Sequence, residues 1–170
     1  MSASSPAIVT FIGWHDSGKT TLASRVVAEM LRRGRRVAVV KSTKEQGITF
    51  DSADTDSGIF RATGAPVLLA TPKEIFLQQP MAKLTLRQFA SRYFSDMEIV
   101  VGEGFKEERD VVKIEVCRGG ERLAGKVTGV AAVAGSVSLC GERAFPLEDV
   151  AGIADFIEEL VCQKGRVLSP

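Results

Sequence analysis

A short apolar run, Ala7-Ile-Val-Thr-Phe-Ile12, opens into Gly13-Trp-His-Asp-Ser-Gly18-Lys19-Thr20, and nothing else in the chain restricts its fold as strongly. The run has the composition of a strand buried on both faces of a parallel sheet. Behind the loop, Leu22, Ala23, Val26, Val27, Met30 and Leu31 recur at intervals of three and four. That stripe predicts an amphipathic helix over Lys19 to Arg33, ended by Gly34. A Gly-x-x-x-x-Gly-Lys-Thr stretch between a strand and a helix is a phosphate-binding loop. Gly13 and Gly18 let the backbone curl until successive N–H groups, that of Ser17 among them, face phosphate oxygens, and the helix start adds its positive end. Lys19 brings a point charge to the β- and γ-phosphates of a purine nucleotide, Thr20 a hydroxyl for Mg²⁺, and Thr21 reaches the α-phosphate. A chance glycine loop explains the spacing but not the strand and helix on either side of it.

Further along, Arg36 to Lys41 reads as a second buried strand, joined to the first through the helix as a βαβ unit with a right-handed crossover. Residues Ser42 to Ser57 are polar and aperiodic, a long loop of the kind that carries function. A short helix is expected over Ser57 to Thr63, strands over Val67 to Ala70 and Glu74 to Leu77, and a helix over Leu84 to Phe94. Strands follow at Met97 to Val101, Val111 to Cys117 and Val127 to Ala134, then a closing helix from Asp149 to Cys162. The fold class expected is α/β, a three-layer P-loop nucleotide-binding fold with a mostly parallel sheet and additional antiparallel strands. The whole chain, 1–170, reads as one domain.

Net charge is +1, so the whole-molecule field that draws proteins to nucleic acid is absent. Cys117, Cys140 and Cys162 lie far apart with neither a Cys-x-x-Cys pair nor clustered histidines, which predicts reduced, mostly buried thiols rather than a zinc site. The first residues lack a basic segment ahead of an apolar one, and no run is long enough to span a bilayer, so a cytoplasmic protein is expected.

Magnesium at such a loop needs an acidic side chain from a neighbouring strand, and the apolar run 97–101 delivers Glu103 just past its end. No Asp-x-x-Gly follows that strand and no Asn-Lys-x-Asp occurs, which excludes the switch type of signalling GTPase. Asp51, Asp54 and Asp56 sit in the long loop; Asp51 either completes the metal shell or satisfies its own turn, and Asp56 is expected to brace the loop with Arg61. Lys41 ends a core strand on the edge where ligands gather in open α/β sheets, and is read as an anion ligand. Lys106 either reaches phosphate or extends into water. Asp16 and His15 lie inside the loop near the γ-phosphate, where either caps the chain or faces solvent, unless Asp16, or Glu103 in its place, positions a water; His15 is not expected to act as a base. Trp14 stacks on a base, marks a partner surface or packs on the loop. The run Arg32-Arg33-Gly-Arg35-Arg36 is read as complementing the helix dipole in preference to gripping an anionic partner.

Gly-x-x-x-Ser-Gly-Lys-Thr-Thr at the loop, Arg33-Gly-Arg-Arg-Val-Ala-Val-Val-Lys41, Asp56-Ser57 with Arg61 and Gly64-Ala65, Glu103-Gly-Phe-Lys106 and Lys113-Ile-Glu115 occur in the order seen in one family. The chain resembles the MobB family of molybdopterin-guanine dinucleotide biosynthesis proteins from about Ile8 to its final helix, with Glu-Gly-Phe-Lys the most distinctive part. The resemblance implies a GTP-binding, weakly hydrolysing adaptor, usually a homodimer. It would work beside a MobA-like nucleotidyltransferase, with molybdopterin or a molybdoenzyme as further partners. It also implies that Lys19 and Thr20 hold phosphate and magnesium, that Glu103 is the acidic partner, and that Asp51 matches an aspartate of the loop after the second strand. Two stretches depart from the family pattern. A histidine-rich segment typical of the family is replaced by Lys41-Ser-Thr-Lys-Glu-Gln-Gly47, and an Ala-Ser-Asp turn by Ala134-Gly-Ser136. An ATP-dependent kinase or ligase related in fold to dethiobiotin synthetase is the main alternative; a nickel metallochaperone GTPase ranks last, for want of a Cys or His cluster.

Overall fold

Strands that are apolar at nearly every position have to be covered on both faces, and the central strands of this protein are. The computed structural model describes residues 5–45, 47, 52–80, 83–123, 125–135 and 143–167. The elements run β1 (Ala7–Ile12), α1 (Lys19–Arg32), β2 (Val37–Lys41), α2 (Asp56–Ala62), β3 (Val67–Ala70), β4 (Ile75–Gln78), α3 (Leu86–Tyr93), β5 (Ile99–Glu103), β6 (Val112–Cys117), β7 (Val130–Gly135), β8 (Arg143–Phe145) and α4 (Val150–Val167). They fall into two units, one of 1–43 with 84–170 and one of 44–83.

The first unit holds a six-stranded sheet in the order β2-β5-β1-β6-β7-β8, with every neighbouring pair parallel. The period of two sends alternate side chains to opposite faces. Val9, Phe11, Ile99, Val101, Ile114 and Val116 meet Leu22, Val26 and Met30 of α1 and Ile153 and Ile157 of α4. On the other face Ala38 and Val100 meet Leu86 and Ala90 of α3. The result is the expected helix, sheet, helix layering. The strand order within the sheet, which the sequence reading leaves open, is decided by burial. Although α1 links β1 to β2, β5 is inserted between them and pairs with both; β5 is buried from Ile99 to Gly102, and the centre of the sheet is where such a strand loses most water contact. The antiparallel strands do not extend this sheet but form one of their own, and β8 was not anticipated.

Local signals set the helix ends. After α1 the left-handed Gly34 (φ 79°) lets its N–H reach Leu31 O and the Arg35 N–H reach Met30 O, a Schellman closure. Thr85 and Gln88 form a reciprocal capping box at the start of α3. The arginines around Gly34 do more than complement a dipole. Arg33 lies 2.6 Å from Asp155 and 2.9 Å from Glu158 of α4, Arg35 lies 2.7 Å from Glu158, and the Arg36 N–H donates to Glu98 at 2.9 Å. Hydrogen bonds from Arg32 and then Arg33 hold the Glu29 carboxyl down to about 2. Arg33 and Arg35 thus clamp the end of α1 to α4.

Central strand β6 carries two charged residues inside the core. Lys113 is fully buried, and its ammonium donates to the carbonyls of Glu108 and of Thr128, the latter at 2.6 Å. Desolvation pushes its pKa below the usual lysine range. Glu115, 1% exposed, accepts from the Leu123 N–H and from the Arg122 guanidinium, 3.2 Å away. These two side chains fasten the connections on either side of β6 to the sheet. Cys117 ends the strand buried, as expected, whereas Cys162 on α4 is exposed. Among the described residues no helix is long and apolar enough to cross a membrane.

The second unit is a helix and a hairpin. Thr55 caps α2 by accepting from the Gly58 N–H at 3.1 Å. Strands β3 and β4 pair antiparallel, Leu68 opposite Leu77 and Ala70 opposite Ile75. Directly opposed residues share a face, and on this one Leu68, Leu77 and Ile75 are 55%, 46% and 66% exposed. Arg61 reaches Gln78 of β4 at 3.4 Å; the brace expected between Arg61 and Asp56 is replaced by this link to the hairpin.

Candidate nucleotide-binding site

The loop between β1 and α1 is shaped by backbone that only certain residues tolerate. A Cβ at Gly13 would stand 2.5 Å from Val116 O and 2.6 Å from Ser17 Oγ. Gly18 (φ 89°) and Asp16 (φ 57°) both occupy the left-handed region, which turns the chain back on itself ahead of the helix. Within this curl the Lys19 ammonium donates to Trp14 O and lies 3.4 Å from Ser17 Oγ. It is therefore folded over the loop, held by groups that phosphate oxygens can replace. Desolvation lowers its pKa, opposed by the charges of Glu103 and Asp16.

The first turn of α1 faces the end of β5. Thr20 Oγ1 donates to Glu103 Oε1 at 2.8 Å, and Lys41 Nζ, from the end of β2, is 3.2 Å from the same oxygen. The register explains this meeting, since Glu103 is opposite Phe11 on one side and Lys41 on the other. Glu103 is the last residue of β5, not one beyond it, and its side chain is only 13% exposed. Behind it the chain turns sharply through Gly104 (φ 94°) and Phe105 (φ 53°). That turn is pinned by the Gly104 N–H to Phe11 O at 3.0 Å and by Thr10 Oγ1 to Gly104 O at 2.8 Å. Strained backbone next to a fixed carboxylate is a signature of sites that hold a group in place.

Four of the residues singled out from sequence, Lys19, Thr20, Lys41 and Glu103, thus form one cluster. Residues 8–135 match the family model of MobB, molybdopterin guanine dinucleotide synthesis protein B. The chain belongs to the MobB family. It is 31% identical over 162 residues to the molybdopterin-guanine dinucleotide biosynthesis adapter protein of Escherichia coli strain K12, covering 89% of this chain and 91% of that one. Its structure is similar to the crystal structure of a MobB protein, with a TM-score of 0.73 and 30% identity across 90% of this chain and 99% of the other. The MobB homologue from Bacillus stearothermophilus shares the fold at 21% identity, with a TM-score of 0.68 over 92% of this chain and 98% of that one.

Of the other predicted positions of this MobB-family chain, Asp16 and Lys106 make no hydrogen bond to the cluster among the described residues. Asp16 pairs with His15 at 2.8 Å, both more than nine-tenths exposed. Lys106 stands over the Trp14 ring, 5.9 Å from its centroid, and Lys126 does so at 5.6 Å; neither lysine is bonded to the Lys19 cluster. Asp51 and Ser136 lie outside the described residues. Thr21 faces a cavity of about 380 Å³ that it shares with Gly18, Arg25, Arg118, Leu147 and Glu148. Sequence reading missed the last four. For Arg118 a signal existed, because it directly follows β6 on the sheet edge where open α/β proteins place ligands.

Among the described residues no group of three or more His, Cys, Asp or Glu side chains is gathered to hold a metal. The touching hydroxyl of Thr20 and carboxylate of Glu103 are both hard oxygen donors.

Proposed function

We propose that this protein binds Mg·GTP and acts in the cytoplasm as an adaptor beside a MobA-like nucleotidyltransferase that attaches guanosine monophosphate to molybdopterin. The observation that carries the proposal is the convergence of Lys19, Thr20, Glu103 and Lys41 at one sheet edge. Guanine is suggested by the relatives, whose names place them in the synthesis of a guanine dinucleotide. Lys19 would exchange its loop carbonyl for phosphate oxygens, and the loop N–H groups would add hydrogen bonds from a fixed frame. Thr20 and Glu103 would hold the magnesium ion, which when bound neutralises charge on the phosphates. Lys41, already on Glu103, would keep that carboxylate oriented and contribute a second positive charge.

Hydrolysis is proposed to be slow. Glu103 is engaged by Thr20 and Lys41, and Asp16 by His15, which leaves a water-positioning part for Asp16 or Glu103 but no strong base. The test is calorimetric titration with GTP and with ATP, each with magnesium, followed in parallel by the fluorescence of Trp14, which belongs to the loop. Saturable binding of GTP, tighter than ATP and lost with EDTA, is expected. Preference for ATP with turnover coupled to one metabolite would move the assignment to a small-molecule kinase or ligase.

The apolar face of the β3–β4 hairpin supports a homodimer. Leu68, Ile75 and Leu77 form a continuous exposed patch, which water-soluble chains usually cover. A second copy of the chain is the occupant proposed. Sedimentation at micromolar concentration should give a dimer for the wild type and a monomer for Leu68→Glu/Ile75→Glu, and a wild-type monomer in every nucleotide state would end the idea.

A further inference from the structure

The cavity beside the phosphate loop is separate from the cluster that would hold phosphate and metal. It is bounded by Gly18 and Thr21 at the start of α1, Arg25 one turn on, Arg118 beyond β6, and Leu147 and Glu148 ahead of α4. At about 380 Å³ it lies in the size range of small-molecule sites. No hydrogen bond or ion pair of the Arg25, Arg118 or Glu148 side chains is found among the described residues. That contrasts with the clamped arginines at the far end of α1. Arg118 leans directly over the loop, since a Cβ placed on Gly18 would stand 2.8 Å from its Nε and 2.9 Å from Nη2. Glu148 is presented by a fixed turn. Asp149 bonds its N–H to Pro146 O at 3.1 Å and caps α4 through Gly152 N–H at 2.9 Å, so Asp149 is occupied and Glu148 is the acid left to face the cavity.

A nucleotide whose phosphates fill the loop must send its ribose and base out past the first turn of α1. Because Gly18 and Thr21 belong both to that turn and to the cavity, the cavity lies where the covalently attached nucleoside emerges. Of the two charge types there, the cations suit the phosphate and ribose end, and the carboxylate suits a base with adjacent N–H donors. Guanine presents N1–H and the 2-amino group side by side to an acceptor-only carboxylate. Adenine presents an acceptor at N1, which a carboxylate repels, so the same group would attract one purine and reject the other.

We infer that the cavity receives the nucleoside of the bound nucleotide, with Glu148 selecting guanine through its Watson–Crick edge and Arg118 closing over the α-phosphate side. This rests on the Mg·GTP reading above. Three probes separate the two ideas in calorimetry on the full chain: Mg·GTP, Mg·ATP and inorganic tripolyphosphate with magnesium. For Glu148→Gln, the ratio of GTP to ATP affinity should fall about tenfold, the scale of one charge-assisted contact, with tripolyphosphate affinity unchanged. For Arg118→Ala, both nucleotides should weaken by a similar factor and the ratio should hold. Both side chains are exposed, so thermal midpoints should match the wild type and exclude misfolding. If Glu148→Gln and Glu148→Ala keep the wild-type ratio, or if the wild type binds tripolyphosphate as tightly as GTP, the nucleoside assignment is overturned while the phosphate loop stands. Should the wild type bind none of the three, both readings fall.

Discussion

Lys19→Ala is expected to weaken Mg·GTP binding by about 10²- to 10³-fold, the largest effect of any single change at the site. The ammonium is folded back onto the loop itself, on Trp14 O and near Ser17 Oγ. Its replacement removes two charge-assisted contacts to phosphate, each worth about 1.5–3 kcal/mol, so a loss of about 3–4 kcal/mol is the conservative sum. Lys19→Arg should not restore binding, because a planar fork does not fit a loop shaped around a compact point charge. The fold should survive, since the ammonium bonds the oxygens of its own loop and ties no distant element to the core. Equal affinity of wild type and Lys19→Ala for Mg·GTP, measured by calorimetry, would refute the assignment of the loop.

The second large effect concerns stability. Glu115→Ala should destabilise the protein by about 3–5 kcal/mol, because it removes the buried carboxylate that both the Arg122 guanidinium and the Leu123 N–H bond. The Arg122 side chain is only 8% exposed and Glu115 1%, so water cannot compensate the loss, and the Leu123 N–H loses its acceptor as well. Urea unfolding would read the change as a shift of the midpoint. Removing both side chains together, as in Glu115→Leu/Arg122→Met, should cost less than the sum of the two single changes, since the interaction between them is then lost only once. A single-variant loss below about 1 kcal/mol would mean that the pair is solvated in solution. The connection it holds, 118–129, carries Arg118 and Lys126, so nucleotide binding should fall with the folded fraction.

How much of this was legible in advance differs from residue to residue. Lys19 and Thr20 were assigned from spacing because loop, strand and helix are contiguous in the chain. Glu103 was found from the rule that a buried strand ends at the ligand edge. Lys113 and Glu115 were visible as part of a family pattern, yet nothing in Val112-Lys-Ile-Glu-Val116 announces that both charges are buried, for alternation of charge and apolar residues ordinarily marks a half-solvated strand. The three-residue β8 escaped because it is too short to show a period and exists through pairing with β7.

Sequence alone determined the parts whose physics is local: the curl of the phosphate loop, the stripe of α1, the glycine that ends it, and the acid at the end of β5. The tertiary structure decided everything that depends on partners distant in the chain. It placed β5 between β1 and β2 and so brought Glu103 against both Lys41 and Thr20. It turned the arginines near Gly34 into a clamp on Asp155 and Glu158, and it set Arg118 and Glu148 on one cavity. The reason is that backbone conformation follows from neighbours a few residues away, whereas the meaning of a charge depends on which opposite charge, or which water, the fold leaves beside it.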